Sequence, residues 1–112
     1  MSDTLFTKII RKEIPAKIEY EDEEVIVIHD INPQAPVHLL IIPKKPIDRI
    51  AHMEAGDAAL LGKLIYRAKL LAEQKKWKDY RLVLNNGEEA GQSVFHVHLH
   101  LLSGRPMKWP PG

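Results

Sequence analysis

The chain contains no cysteine, which excludes disulfide staples, thiolate nucleophiles and any zinc site built on sulfur. Histidines and carboxylates are the side chains left that could hold a metal. A surplus of either charge is missing as well. Lys and Arg number 16 against 15 Asp and Glu, a formal net charge of +1, far from the basic excess that polymeric nucleic acid demands, so a small ligand fits better. Long hydrophobic runs are absent: a stretch such as Leu39 to Ile42 cannot span a bilayer, and the opening MSDTLFTKIIRKEIP has no apolar core behind a positively charged start. The expectation is a cytoplasmic protein with no membrane partner. Repeats and low-complexity blocks are also lacking.

What is present is an ordinary globular composition, 45% hydrophobic and 28% charged over 112 residues, which predicts one domain spanning 1–112 with a tail from Gly104 to Gly112. A core this small leaves stability marginal, so self-association is expected to supplement it. Asp3 and Thr4 are good N-caps ahead of Leu5, Phe6, Ile9 and Ile10 at helical spacing, and Pro15 closes this short helix. Lys17 to Glu21 and Glu24 to Asp30 read as a hairpin around an acidic turn. After the proline loop Asn32 to Pro36, Val37 to Ile42 forms a third strand ended by Pro43.

From Gly56 to Lys76, Leu60, Leu61, Leu64, Ile65, Ala68, Leu71 and Ala72 recur at i, i+3, i+4, i+7, which predicts one long amphipathic helix. Tyr66 and Trp77 are expected to pack, and His52 to lie on the surface. Tyr80 to Asn85 is the fourth strand and Val94 to Leu102 the fifth. The order αβββαββ implies an α+β domain, one short and one long helix on a five-stranded, mainly antiparallel sheet.

Six histidines would give an H-x-H-x-H run by chance about 0.02 times in such a chain, yet His96, His98 and His100 form one. On a strand the three imidazoles share a face at roughly 6.8 Å spacing, with Val97, Leu99 and Leu101 toward the core. Three readings of the row stand on the residues alone: hydrogen-bonded or solvated histidines without chemistry, a zinc site, or nucleophilic catalysis by the central imidazole. Upstream, Gly87 and Gly91 permit close backbone approach to a ligand, and Gln92 and Ser93 bring donors beside the first histidine, which suits a phosphate; a purely structural turn is the competing reading. Asp30, at the end of a strand, could accept both hydroxyls of a ribose or merely cap a turn.

His96-Val97-His98-Leu99-His100-Leu101-Leu102 resembles the H-φ-H-φ-H-φ-φ signature of the histidine triad superfamily, with Gly91-Gln92-Ser93 where that family places its phosphate loop. The likeness continues through FTKIIRKEIPA at Phe6 to Ala16, His29 to Pro36, Ile42 to Lys45, and the closing Trp109-Pro110-Pro111-Gly112, which points to the Hint branch, the purine nucleoside phosphoramidases. The resemblance implies hydrolysis of a P–N bond on a purine nucleoside 5′-phosphoramidate, extending to acyl-adenylates, without metal or cofactor. His98 would attack phosphorus, His96, His100 and His38 would support it, and Ser93 would donate to the leaving amine or a phosphoryl oxygen.

It further implies that Phe6, Ile9, Ile28, His29 and Ile31 wall the base pocket, with an aliphatic Ile28 where some relatives carry an aromatic. Asn86 would touch phosphate or ribose, beside Gly91 and Gln92. A homodimer is expected from the apolar helix stripe and the fourth-strand edge, with Trp109 in a tail that the resemblance carries across to the partner's site. The competing function is a nucleotide-binding scaffold with regulatory partners.

Overall fold

The computed structural model describes residues 3–112. Thr4 caps the first helix α1 (Leu5–Ile10) in a reciprocal box: its hydroxyl accepts from the Thr7 N–H at 3.2 Å while the Thr7 hydroxyl accepts from the Thr4 N–H at 2.7 Å. Only Phe6 and Ile9 of this single turn and a half are buried, and both face the sheet. The strands are β1 (Ile18–Glu21), β2 (Val25–His29), β3 (Val37–Pro43), β4 (Tyr80–Val83) and β5 (Leu99–Ser103), and the long helix is α2 (Ala58–Lys75). They form one sheet in the order β1-β2-β3-β5-β4, antiparallel throughout, as the α+β reading expects.

Period-two alternation divides the sheet into two faces. Val25, Val27, Leu39, Ile41, Leu99 and Leu101 pack under Leu64, Ala68 and Leu71 of α2, while Ile26, Ile28, Leu40 and Ile42 meet Phe6 and Ile9 of α1. Because β2 and β3 are covered on both sides, they read as continuous apolar runs rather than alternating ones. The α2 stripe is narrower than the spacing predicts: Ile65 and Tyr66 are more than half exposed, so Tyr66 is not a packing residue. Trp77 does pack against the core, and His52 is exposed, bonded to Asp48.

The fifth strand is shorter than predicted and begins at Leu99 rather than Val94. The register Ile41↔Leu99 would carry a longer strand on to Pro43, which has no N–H to give, and whose carbonyl is already taken by the His96 ring. Val97 instead donates its N–H to the Ile47 carbonyl at 2.7 Å. Residues 94–98 therefore bend, and only His100 of the three histidines lies in the ladder. The inward alternation survives the bend, since Val97, Leu99 and Leu101 all reach the α2-side core.

After β5 the chain turns at Gly104, whose φ of +97° suits glycine, and a Cβ there would stand 2.9 Å from the Pro36 Cβ. Gly104→Ala should therefore lose roughly 2 kcal/mol or more of stability, combining a strained backbone with a clash against a rigid ring. Urea denaturation measures it; an unchanged midpoint would show that the tail does not lean on the proline loop.

Candidate active site

A cleft of about 430 Å³ opens on the α1 side of the sheet, with Phe6, Ile9, Ile28, Ile31 and Leu40 supplying apolar walls and Asp30, Ser93, His98 and His100 its polar end. This size and mixture suit a small organic ligand. A larger groove of about 810 Å³ lies between the end of α2 and the tail, but no histidine borders it, so the chemistry belongs to the smaller cleft.

Each imidazole's proton can be assigned from its partners. His98 Nδ1 sits 2.8 Å from the His96 carbonyl, which only accepts, so Nδ1 carries the proton and Nε2 keeps its lone pair. His96 Nε2 likewise donates to the Pro43 carbonyl at 2.6 Å, and its Nδ1 is buried without a partner. His38 Nδ1 accepts from the Gln34 N–H at 3.0 Å, which places the proton on Nε2. That nitrogen donates to His100 Nδ1 at 2.9 Å, leaving His100 with an N–H at Nε2. The bend brings the rings closer than a flat strand would: His98 and His100 have centroids 4.9 Å apart, and Phe6 stands edge-on to His98 at 4.9 Å.

Burial holds all four imidazoles below their ordinary basicity, since charging them would strip hydration from a cation. His100 is pushed down to about 4 by burial and then by its neighbours His98 and His38. The cluster is neutral at pH 7, the state a nitrogen nucleophile requires.

The structure sorts the other expected residues. Ser93 lines the cleft, and its hydroxyl makes no hydrogen bond to the described residues. Asp30 accepts from the Asn32 N–H at 2.8 Å and places its other oxygen 3.5 Å from His38 Nε2, so it caps a turn and also faces the histidines. His29 borders the cleft, yet its ring bonds Glu19 at 3.0 Å, and Glu19 in turn pairs with Lys75 of α2.

Two expectations are corrected. Gln92 is buried, with its amide spent on the Gly87 N–H and on the Asp48 and Val94 carbonyls, so it braces the loop and does not enter the cleft. Asn86 is turned away, accepting from the Ala51 N–H at 2.7 Å. Asn85 is the one beside the loop, its Nδ2 3.4 Å from where a Cβ on Gly91 would stand. Alternation along β4 could have found it, because Val83 faces His100 and position 85 continues that face. Trp109 is 82% exposed and does not line this chain's own cleft.

An antiparallel sheet with helices on both faces carries an apolar cleft that ends in a buried neutral histidine cluster, an arrangement suited to a small ligand. Residues 11–107 match the HIT domain, and the chain belongs to that family. It is 56% identical over 111 residues to an uncharacterized HIT-like protein of Synechocystis, covering 98% of this chain and 97% of that one. It is 52% identical to a 14 kDa zinc-binding protein of Zea mays, covering 99% and 89%. A solved HIT family hydrolase from Legionella pneumophila superposes with a TM-score of 0.94 at 49% identity, covering 98% and 100%.

The maize relative's name raises the fit of zinc. Asp30, His38 and His100 do bring donor atoms within 4.8 Å of one another. However, the Gln34 N–H holds His38 with its proton on Nε2, the nitrogen aimed at the group, and zinc needs a bare nitrogen there. The donor set does not fit a resident zinc ion as arranged.

Proposed function

We propose that this chain hydrolyses the P–N bond of purine nucleoside 5′-phosphoramidates through a nucleotidyl intermediate on His98. The observation that carries the reading is the His98 Nδ1–H bond to the His96 carbonyl, which leaves Nε2 as a neutral lone pair in a cleft. Nε2 attacks phosphorus, the P–N bond breaks, and the amine leaves with a proton supplied by the Ser93 hydroxyl or the His100 Nε2–H. Water then attacks phosphorus and its proton returns to the group that protonated the amine, while the bond from phosphorus to Nε2 breaks, restoring His98 and releasing the nucleoside monophosphate. Dividing one hard displacement into two easier ones is what the imidazole contributes. The apolar walls take the base and Asp30 the ribose. HIT family hydrolases among the solved neighbours support the reaction class.

Rapid quenching followed by mass spectrometry tests the intermediate: a nucleoside monophosphate adduct on His98 is expected, whereas turnover without any adduct would favour direct attack by water. Nucleotide binding without turnover would instead make the chain a scaffold. Asp30→Ala should weaken ribonucleotide binding by about 1–3 kcal/mol, the scale of hydrogen bonds to a charged group, and remove the preference over 2′-deoxyribonucleotides. Calorimetry with both sugars measures it, and preserved discrimination would place sugar recognition elsewhere.

The working unit is a homodimer on this reading. The β4 edge has no neighbouring strand among the described residues, and Ile65, Tyr66 and Trp109 leave apolar surface uncovered.

A further inference from the structure

The C-terminal tail is tied to the histidine cluster by a continuous run of contacts. Arg105 Nε donates to the Gln34 carbonyl at 2.9 Å. The Gln34 N–H donates to His38 Nδ1 at 3.0 Å, and His38 Nε2 donates to His100 Nδ1 at 2.9 Å. Gly104 lies against Pro36, so that a single added Cβ would meet the ring, and the loop 30–36 is thereby held from outside by the tail's first two residues. Inside, the loop is closed by the Asp30 N–H on the His38 carbonyl and by the Gln34 side chain on the Asn32 carbonyl. His38 has one fixed donor on Nδ1, and that donor is a backbone N–H whose orientation depends on the loop.

We infer that Arg105 is a positioning residue for the reaction: by holding the Gln34 backbone it fixes the His38 tautomer, and through it the direction in which His100 offers its proton. Without the Gln34 N–H on Nδ1, only His100 Nδ1 and the Asp30 carboxylate 3.5 Å away still favour the proton on His38 Nε2, and the Nδ1–H form, no longer opposed by a donor on Nδ1, becomes populated. In the Nδ1–H form Nε2 has no proton to give, and His100 Nδ1 loses its donor and can itself take the proton. His100 then stops presenting an N–H toward the cleft. Arg105 never approaches the cleft, so its effect should fall on the bond-breaking step and not on ligand affinity. Charge is not what the link uses, since the Gln34 carbonyl is neutral and Arg105 has no carboxylate within ion-pair distance among the described residues.

The test uses full-length protein labelled with ¹⁵N in histidine, and the variants Arg105→Gln and Arg105→Lys. Arg105→Lys keeps the charge but loses the Nε–H. In the wild type, imidazole ¹⁵N shifts should report His38 protonated on Nε2 alone. In both variants they should report a mixture, with the rest of the spectrum and the melting temperature little changed. With a nucleoside 5′-phosphoramidate, the kinetic arm of which rests on the proposed function, kcat should fall about fivefold at unchanged KM, the size of one lost hydrogen bond. Placed in a His38→Asn background, Arg105→Gln should have no further effect, because the group it acts through is gone.

An unchanged His38 tautomer in both variants would overturn the inference, as would the same fivefold loss in the His38→Asn background. Absence of phosphoramidate turnover by the wild type would count against the proposed function alone, since the tautomer measurement needs no substrate. Lys108→Gln, in the same tail but outside the chain of contacts, should leave kcat unchanged.

Discussion

His98→Asn should lower turnover of a nucleoside phosphoramidate by on the order of a thousandfold or more while leaving nucleoside monophosphate binding within roughly tenfold. The asymmetry follows from where the ring sits. Its Nδ1 is engaged by the His96 carbonyl, and on the proposed reading recognition of the nucleoside falls to Phe6, Ile9, Ile28, Ile31 and Asp30, which line the cleft and which the substitution leaves in place. What disappears is the Nε2 lone pair, which acts in forming the bond to phosphorus and not in holding the ground state. Asparagine can keep a donor toward the His96 carbonyl, so loss of local structure is separable from loss of the nucleophile. Steady-state kinetics and calorimetry on the same preparation check both halves. A variant with near wild-type kcat would move the nucleophile to another residue, and one that fails to bind the monophosphate would give His98 a role in recognition.

Much of the layout was legible because the signals are local. The α2 stripe, the Thr4 cap, the β-branched run at Val25 to Ile28 and the prolines around β3 each act within a few residues, and the elements follow them. The bend at 94–98 was not legible from its own residues, since alternating histidine and apolar positions look the same in a strand and in an extended bend. The deciding group is Pro43, distant in sequence, which has no N–H to donate toward β5 and whose carbonyl is claimed by the His96 ring. Asn86 and Gln92 failed for a related reason: polar side chains near a glycine loop serve either ligand or backbone, and only the bonds to Ala51, Gly87, Asp48 and Val94 show which. Spacing identified the triad but carried no information about protons. The tautomers depend on carbonyls and an N–H contributed by Pro43, His96 and Gln34.

Stability should fall steeply between pH 6.5 and pH 5, above the range in which carboxylates dominate acid unfolding. His38, His96, His98 and His100 are held below their ordinary basicity in the folded protein, chiefly by burial. In the unfolded chain they regain it, so over this interval unfolding takes up protons that the native state refuses, and stability rises with pH. The contribution is fully present above about pH 6.5, the unfolded value, and is lost as pH falls toward the folded one. For His100, pushed down to about 4, the loss amounts to roughly 3 kcal/mol, a large share of the 5–15 kcal/mol typical of a small domain. Glu19, Glu21, Asp22, Asp48 and Asp57 are held below the usual carboxylate range by their partners, and their loss belongs to lower pH. Urea midpoints measured from pH 7.5 to 5 should therefore drop, and His100→Asn should flatten the slope by up to one proton, about 1.4 kcal/mol per pH unit. Equal midpoints at pH 7.5 and 5 would mean that the folded cluster takes up as many protons as the unfolded chain, so that burial does not hold the imidazoles neutral and the Nε2 lone pair of the His98 mechanism would be lost already as pH falls through about 6.5.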